Sequence, residues 1–220
     1  MDSEIERLLG TVEALVERDN SAVGKLRGLP TSARWAIAAA AVTLLVGCVF
    51  ALLRRGDLAT CPTWYIALMT ASYAVPLALL VGRVLAPLHR LGSLPDRGDY
   101  LIGAAFFLPF FWALFPPAAL VHAAQAVAIK RDCLALGVAL GAMTIVALRA
   151  LDRAADTEPR TVLMVAAAGG LVANLALFFH CPQTRLLHLA LVHAPIGLLL
   201  LFTYRRVASR RAARAAASVK

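Results

Sequence analysis

Cysteine and histidine side chains are concentrated in one stretch of the chain, His180–His193. Its fourteen residues hold three of the five histidines and one of the four cysteines. Imidazole and thiolate groups bind zinc and copper, and thiols also form disulfides or react with oxidants. The local pattern is C-x6-H-x4-H (Cys181, His188, His193), which is looser than the usual spacing of a zinc site.

The helical positions of these side chains argue against a shared ligand set. His188 and His193 are five positions apart, about 140° around a regular α-helix, so we expect them on different faces. Three interpretations stay open: buried structural side chains, a disulfide from Cys181 to Cys61 or Cys133, or a metal-binding or redox-sensing cluster. We expect no resident cofactor other than a metal ion at this set. The candidate sensing residues are Cys61, His122, Cys133, His180, Cys181, His188 and His193.

The sequence contains no pattern typical of an enzyme. A nucleophile elbow, a phosphate-binding loop, a dinucleotide fingerprint and an H-E-x-x-H motif are all missing. Proton-coupled transporters usually keep an acidic residue near the membrane midplane, and here every acid beyond the N-terminal region falls in a loop or at the end of an apolar segment. We therefore expect no enzyme. A small transporter or a metal- or redox-handling membrane protein is the alternative function.

The elements that must position these residues are membrane helices. Of the 220 residues, 60% are hydrophobic and 16% are charged, whereas soluble domains are about 45–50% apolar and about 25% charged. Six apolar segments are each near the ~20 residues that cross ~30 Å of hydrocarbon. We predict an all-α fold, a six-helix transmembrane bundle. The predicted spans are 35–53, 64–85, 100–127, 133–151, 161–179 and 186–204.

Small residues predict where two of these helices touch. The spacings Gly137-x3-Gly141 and Gly169-Gly170-x2-Ala173 lie on the fourth and fifth predicted spans. Side chains of this size allow helix backbones to approach closely in a membrane. We therefore expect direct contact between these two spans.

The distribution of Lys and Arg predicts the orientation. With both termini on one side of the membrane, that side receives 17 of the 22 basic residues, and the positive side is cytoplasmic. The cysteines and the 180–193 stretch then lie at or near the outer surface. The basic tail 205–220 is expected to contact membrane lipids, and we expect no direct binding of nucleic acid despite the net charge of +9.

Residues 1–33 are predicted to form a cytoplasmic helix and linker that precede the membrane domain 34–204. Ser3 and Glu6 form a capping box, and no secretory signal is expected. An isolated helix of about fifteen residues is marginal in water, so its apolar stripe requires a partner. An acidic helix suits an anionic membrane surface poorly, which favours a partner protein over lipid; docking on its own bundle stays open. The stripe consists of Ile5, Leu8, Leu9, Val12, Leu15 and Val16.

Several motifs resemble the NrsF-type family of polytopic membrane anti-sigma factors. Lys130–Gly137 (K-R-D-C-L-A-L-G) is similar to the start of that family's fourth span, and Leu148–Arg153 to the basic loop after it. The H-C-P hairpin at His180 is followed by His188 and Val192-His193, as in the family, and Val23–Pro30 resembles its linker before the first span. The specific motifs lie in 130–193, and the first three spans match in hydropathy alone.

The resemblance implies a negative regulator of transcription in the bacterial inner membrane. The cytoplasmic N-terminal segment would hold an extracytoplasmic-function sigma factor until a signal releases it. The length of the chain, and His193 at a position often held by Trp, resemble the branch of the family that represses light-induced carotenoid synthesis. The outer Cys/His set would then belong to signal sensing, with His193 departing from the Trp of other members.

Overall fold

The computed structural model describes residues 21–86, 111, 131–152, 159–181 and 188–217. These residues form helices and no strand, which confirms the all-α prediction for this part of the chain. A 3-10 turn covers Gly56–Thr60, and a π-helical turn over Leu189–His193 runs directly into the last helix. The six α-helices are α1 (Ala22–Gly28), α2 (Thr31–Leu53), α3 (Thr63–Val84), α4 (Arg131–Leu151), α5 (Pro159–His180) and α6 (Ala194–Ala217).

Among the described residues, five helical segments are long and apolar enough to cross a membrane. They correspond to the predicted first, second, fourth, fifth and sixth spans. The predicted third span, 100–127, and the predicted N-terminal helix lie outside the described residues. The last helix continues past residue 204 into the basic tail as far as Ala217. The spanning segments are Thr31–Leu53, Thr63–Val84, Asp132–Leu151, Arg160–His180 and Leu189–Arg210.

Helix α5 is the centre of the described bundle. It packs against α2, α3, α4 and α6, and 89% of its most apolar stretch is buried, against 11% for α2. An apolar helix surrounded by other helices has no need of a polar face, because protein replaces lipid on every side. Any displacement of α5 therefore changes its contacts with all four neighbours.

Glycines bring the backbones of α4 and α5 into contact. A Cβ atom on Gly169 would lie 2.8 Å from the Gly141 carbonyl oxygen, and a Cβ on Gly141 would lie 3.0 Å from the Gly169 oxygen. One turn earlier on α4, a Cβ on Gly137 would meet the side chains of Ile196 and Leu177. The predicted close contact between these two spans is confirmed, since only glycine leaves room for it.

A buried arginine joins three helices at one end of the bundle, which we call the Arg34 end. Arg34 is 1% exposed. Its guanidinium donates hydrogen bonds to the carbonyl oxygens of Leu151 (2.9 Å) and Leu85 (3.1 Å) and to the Thr31 hydroxyl (3.1 Å). These carbonyls lie at the C-terminal ends of α4 and α3, where the helix leaves acceptors unpaired and the dipole favours a cation.

The short helix α1 is attached to the same end. The Ser21 side chain caps its start by accepting a hydrogen bond from the Gly24 amide at 3.0 Å. Near its other end, Arg27 donates to the Arg149 carbonyl oxygen at 3.0 Å, and Arg149 forms an ion pair with Asp152. The chain that enters the first span is thus connected to the end of α4.

Candidate functional site

At the opposite end of the bundle, which we call the Cys181 end, hydrogen bonds also join two helix termini. The Arg55 amide donates to the Phe179 carbonyl oxygen at 2.9 Å, and His180 Nδ1 donates to the Leu53 carbonyl oxygen at 2.8 Å. These bonds join the C-terminal ends of α2 and α5. Unpaired carbonyls of α2 and α5 are satisfied by groups from the neighbouring helix terminus.

The Arg55 side chain connects two cysteines at this end. The residue is 5% exposed and donates to the Cys181 carbonyl oxygen (2.9 Å) and the Cys61 sulfur (3.4 Å). It forms an ion pair with Asp57 at 2.8 Å and lies over the Phe178 ring, 5.8 Å from its centroid. A buried cation is costly without such partners, so these contacts fix its position.

Beside Arg55 lies a group of three buried side chains, Cys181, His188 and His193, which we call the Cys/His cluster. One potential ligand atom from each lies within 4.8 Å of the other two. Cys181 Sγ and His188 Nε2 are in hydrogen-bond contact at 3.3 Å, and the two imidazole rings meet edge to face with centroids 5.3 Å apart. Both histidines are almost completely buried, at 0% and 2% exposure.

The expectation that His188 and His193 lie on different faces is wrong, and the π-helical turn is the reason. Leu189–His193 is π-helical, and the Ala194 amide bonds to the Leu189 carbonyl five residues earlier. This bonding pattern widens the turn, so that residues five apart lie one above the other. Single π-helical turns within α-helices occur frequently at functional sites.

The Cys/His cluster fits a thiophilic metal ion such as Zn²⁺ or Cu⁺. In tetrahedral zinc sites, Zn–S and Zn–N bonds of ~2.3 and ~2.0 Å place ligand atoms roughly 3.3–3.6 Å apart. The 3.3 Å between Cys181 Sγ and His188 Nε2 already meets this, and the remaining pairs lie within 4.8 Å, close enough for small side-chain movements to complete the ligand set. His193 Nε2 and His188 Nδ1 are buried without a hydrogen-bond partner, but a metal ion bound at His188 Nε2 would leave His188 Nδ1 unpaired, since the two nitrogens of an imidazole point in different directions.

A small cavity adjoins the Cys/His cluster. It measures about 10 Å³, close to the space that one water molecule needs. Among its lining residues are Cys181, His193, Arg55 and Tyr65, and the Tyr65 hydroxyl is buried without a hydrogen-bond partner. A water molecule here would supply the fourth ligand that zinc sites with three protein ligands commonly use.

The other predicted sensing residues lie outside the Cys/His cluster. Cys61 accepts from Arg55, Cys133 is buried near the start of α4, and His180 binds the end of α2. His122 lies outside the described residues. The four cysteines all lie in the described part of the chain and form no disulfide, so neither of the two considered disulfides is present.

Sequence reasoning missed two kinds of buried polar side chain. It used Arg34 and Arg55 as orientation charges, whereas both are buried and bind helix ends. It also passed over Asn174, which is 0% exposed within α5 and whose amide atoms have no hydrogen-bond partner. A single Asn within an apolar span was a usable signal, since such residues are rare in membrane helices and face the interior.

Comparison with known proteins identifies no relative. No family model, no curated protein and no solved structure matches the chain. The resemblance to NrsF-type factors therefore stands on the sequence motifs alone.

Proposed function

We propose that this chain is a membrane-bound anti-sigma factor of a bacterial inner membrane, with both termini in the cytoplasm. Its N-terminal segment binds an extracytoplasmic-function sigma factor and represses the genes that this factor transcribes, with carotenoid synthesis as a candidate target. The family-like motifs and the distribution of Lys and Arg support this proposal. The predicted stripe Ile5–Val16 supplies the surface for a helical partner, and the acids around it complement a basic one.

The structural observation that carries the proposal is the attachment of α1 to the Arg34 end. This helix directly follows the segment assigned to sigma binding, and Arg27 bonds to the end of α4. The Cys/His cluster lies at the opposite end of the bundle, the outer end in the proposed orientation. A signal received there can reach the N-terminal segment through the contact of α4 with α5.

Two matched charge substitutions on the predicted N-terminal helix test whether its apolar stripe binds the sigma factor. Val12 lies within the apolar stripe, while Ala14 is two positions further and on the other side of a 3.6-residue helix. We expect Val12→Asp to raise sigma-dependent reporter expression about tenfold or more, the effect of losing ~1.4 kcal/mol of binding. Ala14→Asp introduces the same charge and should leave repression intact.

The readout needs equal amounts of both variants in the membrane fraction, shown by immunoblot. Repression by Val12→Asp at the wild-type level would contradict the assignment of the stripe. Co-purification from solubilised membranes then identifies the sigma factor and should be lost in the same variant.

A second function, that of a metal- or redox-handling membrane protein, is favoured by the Cys/His cluster. We expect the purified, reduced protein to bind Co²⁺ with the absorption of a thiolate ligand. Cys181→Ser and His193→Ala should lower the affinity about 10–100-fold or more. Cys48→Ser is the matched control, because Cys48 is exposed on α2.

Metal flux in vesicles separates the two functions. Flux that requires Cys181 would favour a transporter, whereas stoichiometric binding without flux fits a sensing site. If Co²⁺ binds equally to the wild type and to Cys181→Ser, the Cys/His cluster is not the metal site.

A further inference from the structure

An apolar groove runs along the bundle between α2 and α3. Both helices pack against α5, but they touch one another at few positions. The space between them has a volume of about 460 Å³, within the ~300–1,000 Å³ typical of ligand pockets. Small residues on both walls, such as Gly47 and Ala78, create the space, and Leu175 and Phe179 of α5 line it on the third side.

The groove has the shape and chemistry for a hydrocarbon chain. It extends along α2 from Trp35 to Phe50, fifteen residues or about 22 Å at 1.5 Å per residue. This is more than half of the ~30 Å hydrocarbon thickness of a bilayer. Among the lining residues, Thr43 is the one with a hydroxyl or other non-aromatic polar group. Burying the apolar walls against an acyl chain gains van der Waals contacts that an open groove lacks.

A cation lies at one end of this groove. Arg54 follows the last residue of α2 and is exposed. Its guanidinium lies over the ring of Phe50, a lining residue, 5.9 Å from the centroid. Unlike the neighbouring Arg55, it forms no ion pair with a described residue. Exposed Trp64 lies in the first turn of α3 at the same end, at the depth where aromatic side chains meet lipid headgroups.

We propose that the groove is a binding site for an anionic phospholipid. One acyl chain lies between α2 and α3, and the phosphate pairs with Arg54. A guanidinium that is already oriented by an aromatic ring binds a phosphate through two parallel N–H donors. A zwitterionic lipid offers the same chain but carries a compensating cation in its headgroup. The site therefore selects lipids with a net negative charge.

Two glycines allow a matched test of the groove. A Cβ atom on Gly47, which lines the groove, meets nothing within 4 Å, and the same holds for Gly82, which does not line it. Either position therefore accepts a larger side chain without a clash at its Cβ. Gly47→Leu fills the groove, whereas Gly82→Leu adds the same side chain elsewhere on the pair of helices.

Native mass spectrometry of the full chain in detergent, with added phosphatidylglycerol or phosphatidylcholine, gives the readout. We expect the wild type and Gly82→Leu to retain phosphatidylglycerol about tenfold better than phosphatidylcholine, and Gly47→Leu to retain about tenfold less of it. Arg54→Gln should abolish the preference while keeping the weaker binding of phosphatidylcholine. Circular dichroism confirms that all variants are folded.

Three results would overturn the proposal. The first is equal retention of the two lipids by the wild type. The second is retention by Gly47→Leu at the wild-type level, which would place the lipid elsewhere. The third is a dimer that Gly47→Leu dissociates, which would make the groove an interface between two copies of the chain. Repression of a sigma-dependent reporter is a separate measurement, so its outcome leaves this test unaffected.

Discussion

Two buried arginines hold the helix ends together, and their side-chain shape matters as much as their charge. Arg34 reaches carbonyls of two helices, and Arg55 reaches a carbonyl, a thiol and a carboxylate. Lysine offers one compact ammonium group and cannot reproduce such a planar fork of donors. Sequence patterning identified both residues as charges near span ends. It could not identify their acceptors, because these depend on which helix ends meet.

We expect Arg34→Lys to lower the stability of the bundle by about 1–3 kcal/mol, the cost of leaving a buried carbonyl unpaired. Arg206→Lys is the control, because Arg206 is exposed on α6. Unfolding of the detergent-solubilised proteins by increasing denaturant, followed by circular dichroism, measures the difference. Equal midpoints for Arg34→Lys and the control would show that the hydrogen bonds of Arg34 contribute little.

At the scale of elements, one irregular turn assembles the Cys/His cluster. The five residues of the π-helical turn place His193 beneath His188, whereas a regular α-helix would separate them by about 140°. The existence and the positions of the described spans followed from hydropathy. Lipid offers no hydrogen-bond partner to the backbone, and a helix satisfies all of its own amides and carbonyls. The π-helical turn could not be predicted, because it depends on tertiary packing around the histidines.

Inserting one residue into this turn should separate the two imidazoles. We expect one alanine inserted after Ala190, which is exposed, to place the histidines six positions apart, about 120° around a regular α-helix, and to lower Co²⁺ affinity about tenfold or more. Leu191→Ala is the control, since this side chain is exposed in the same turn. Absorption titration with Co²⁺ gives the affinities. Unchanged affinity in the insertion variant would mean that the relative position of the two histidines on this turn is not needed for the site.

At the scale of the molecule, a buried arginine joins helix ends at each end of the bundle, and helix α5 runs between the two ends. The Arg34 end holds α1, the Cys181 end holds the Cys/His cluster, and α5 contacts all four of the other long helices in the described part of the chain. The predicted order of spans already places the N-terminal segment and residues 180–193 at opposite ends, and this order is retained in the described part. The orientation that the Lys and Arg distribution predicts stays a prediction. The predicted sigma-binding residues lie outside that part, so their role stays a prediction.

Coupling between the Cys181 end and the N-terminal segment can be tested by proteolysis. We expect Zn²⁺ to change the rate of trypsin cleavage within residues 1–27 about fivefold or more in the wild type, in the range of ordinary coupling free energies. Cys181→Ser should abolish the change. Cleavage within the basic tail 205–220 is the internal control and should not respond to the metal. A response that persists in Cys181→Ser would separate the metal effect from the Cys/His cluster.

The hydrogen bonds of Arg34 and Arg55 also set the order in which the bundle can be completed during synthesis. Arg34 and Arg55 emerge from the ribosome early, but their acceptors come later: Leu85 and Leu151 for the first, and Cys181 for the second. Until those residues have been made and inserted, each guanidinium must stay hydrated at the membrane surface, since an unpaired charge is costly in hydrocarbon. Neither end of the bundle can close before most of the chain exists, so closure comes late in translation or after it.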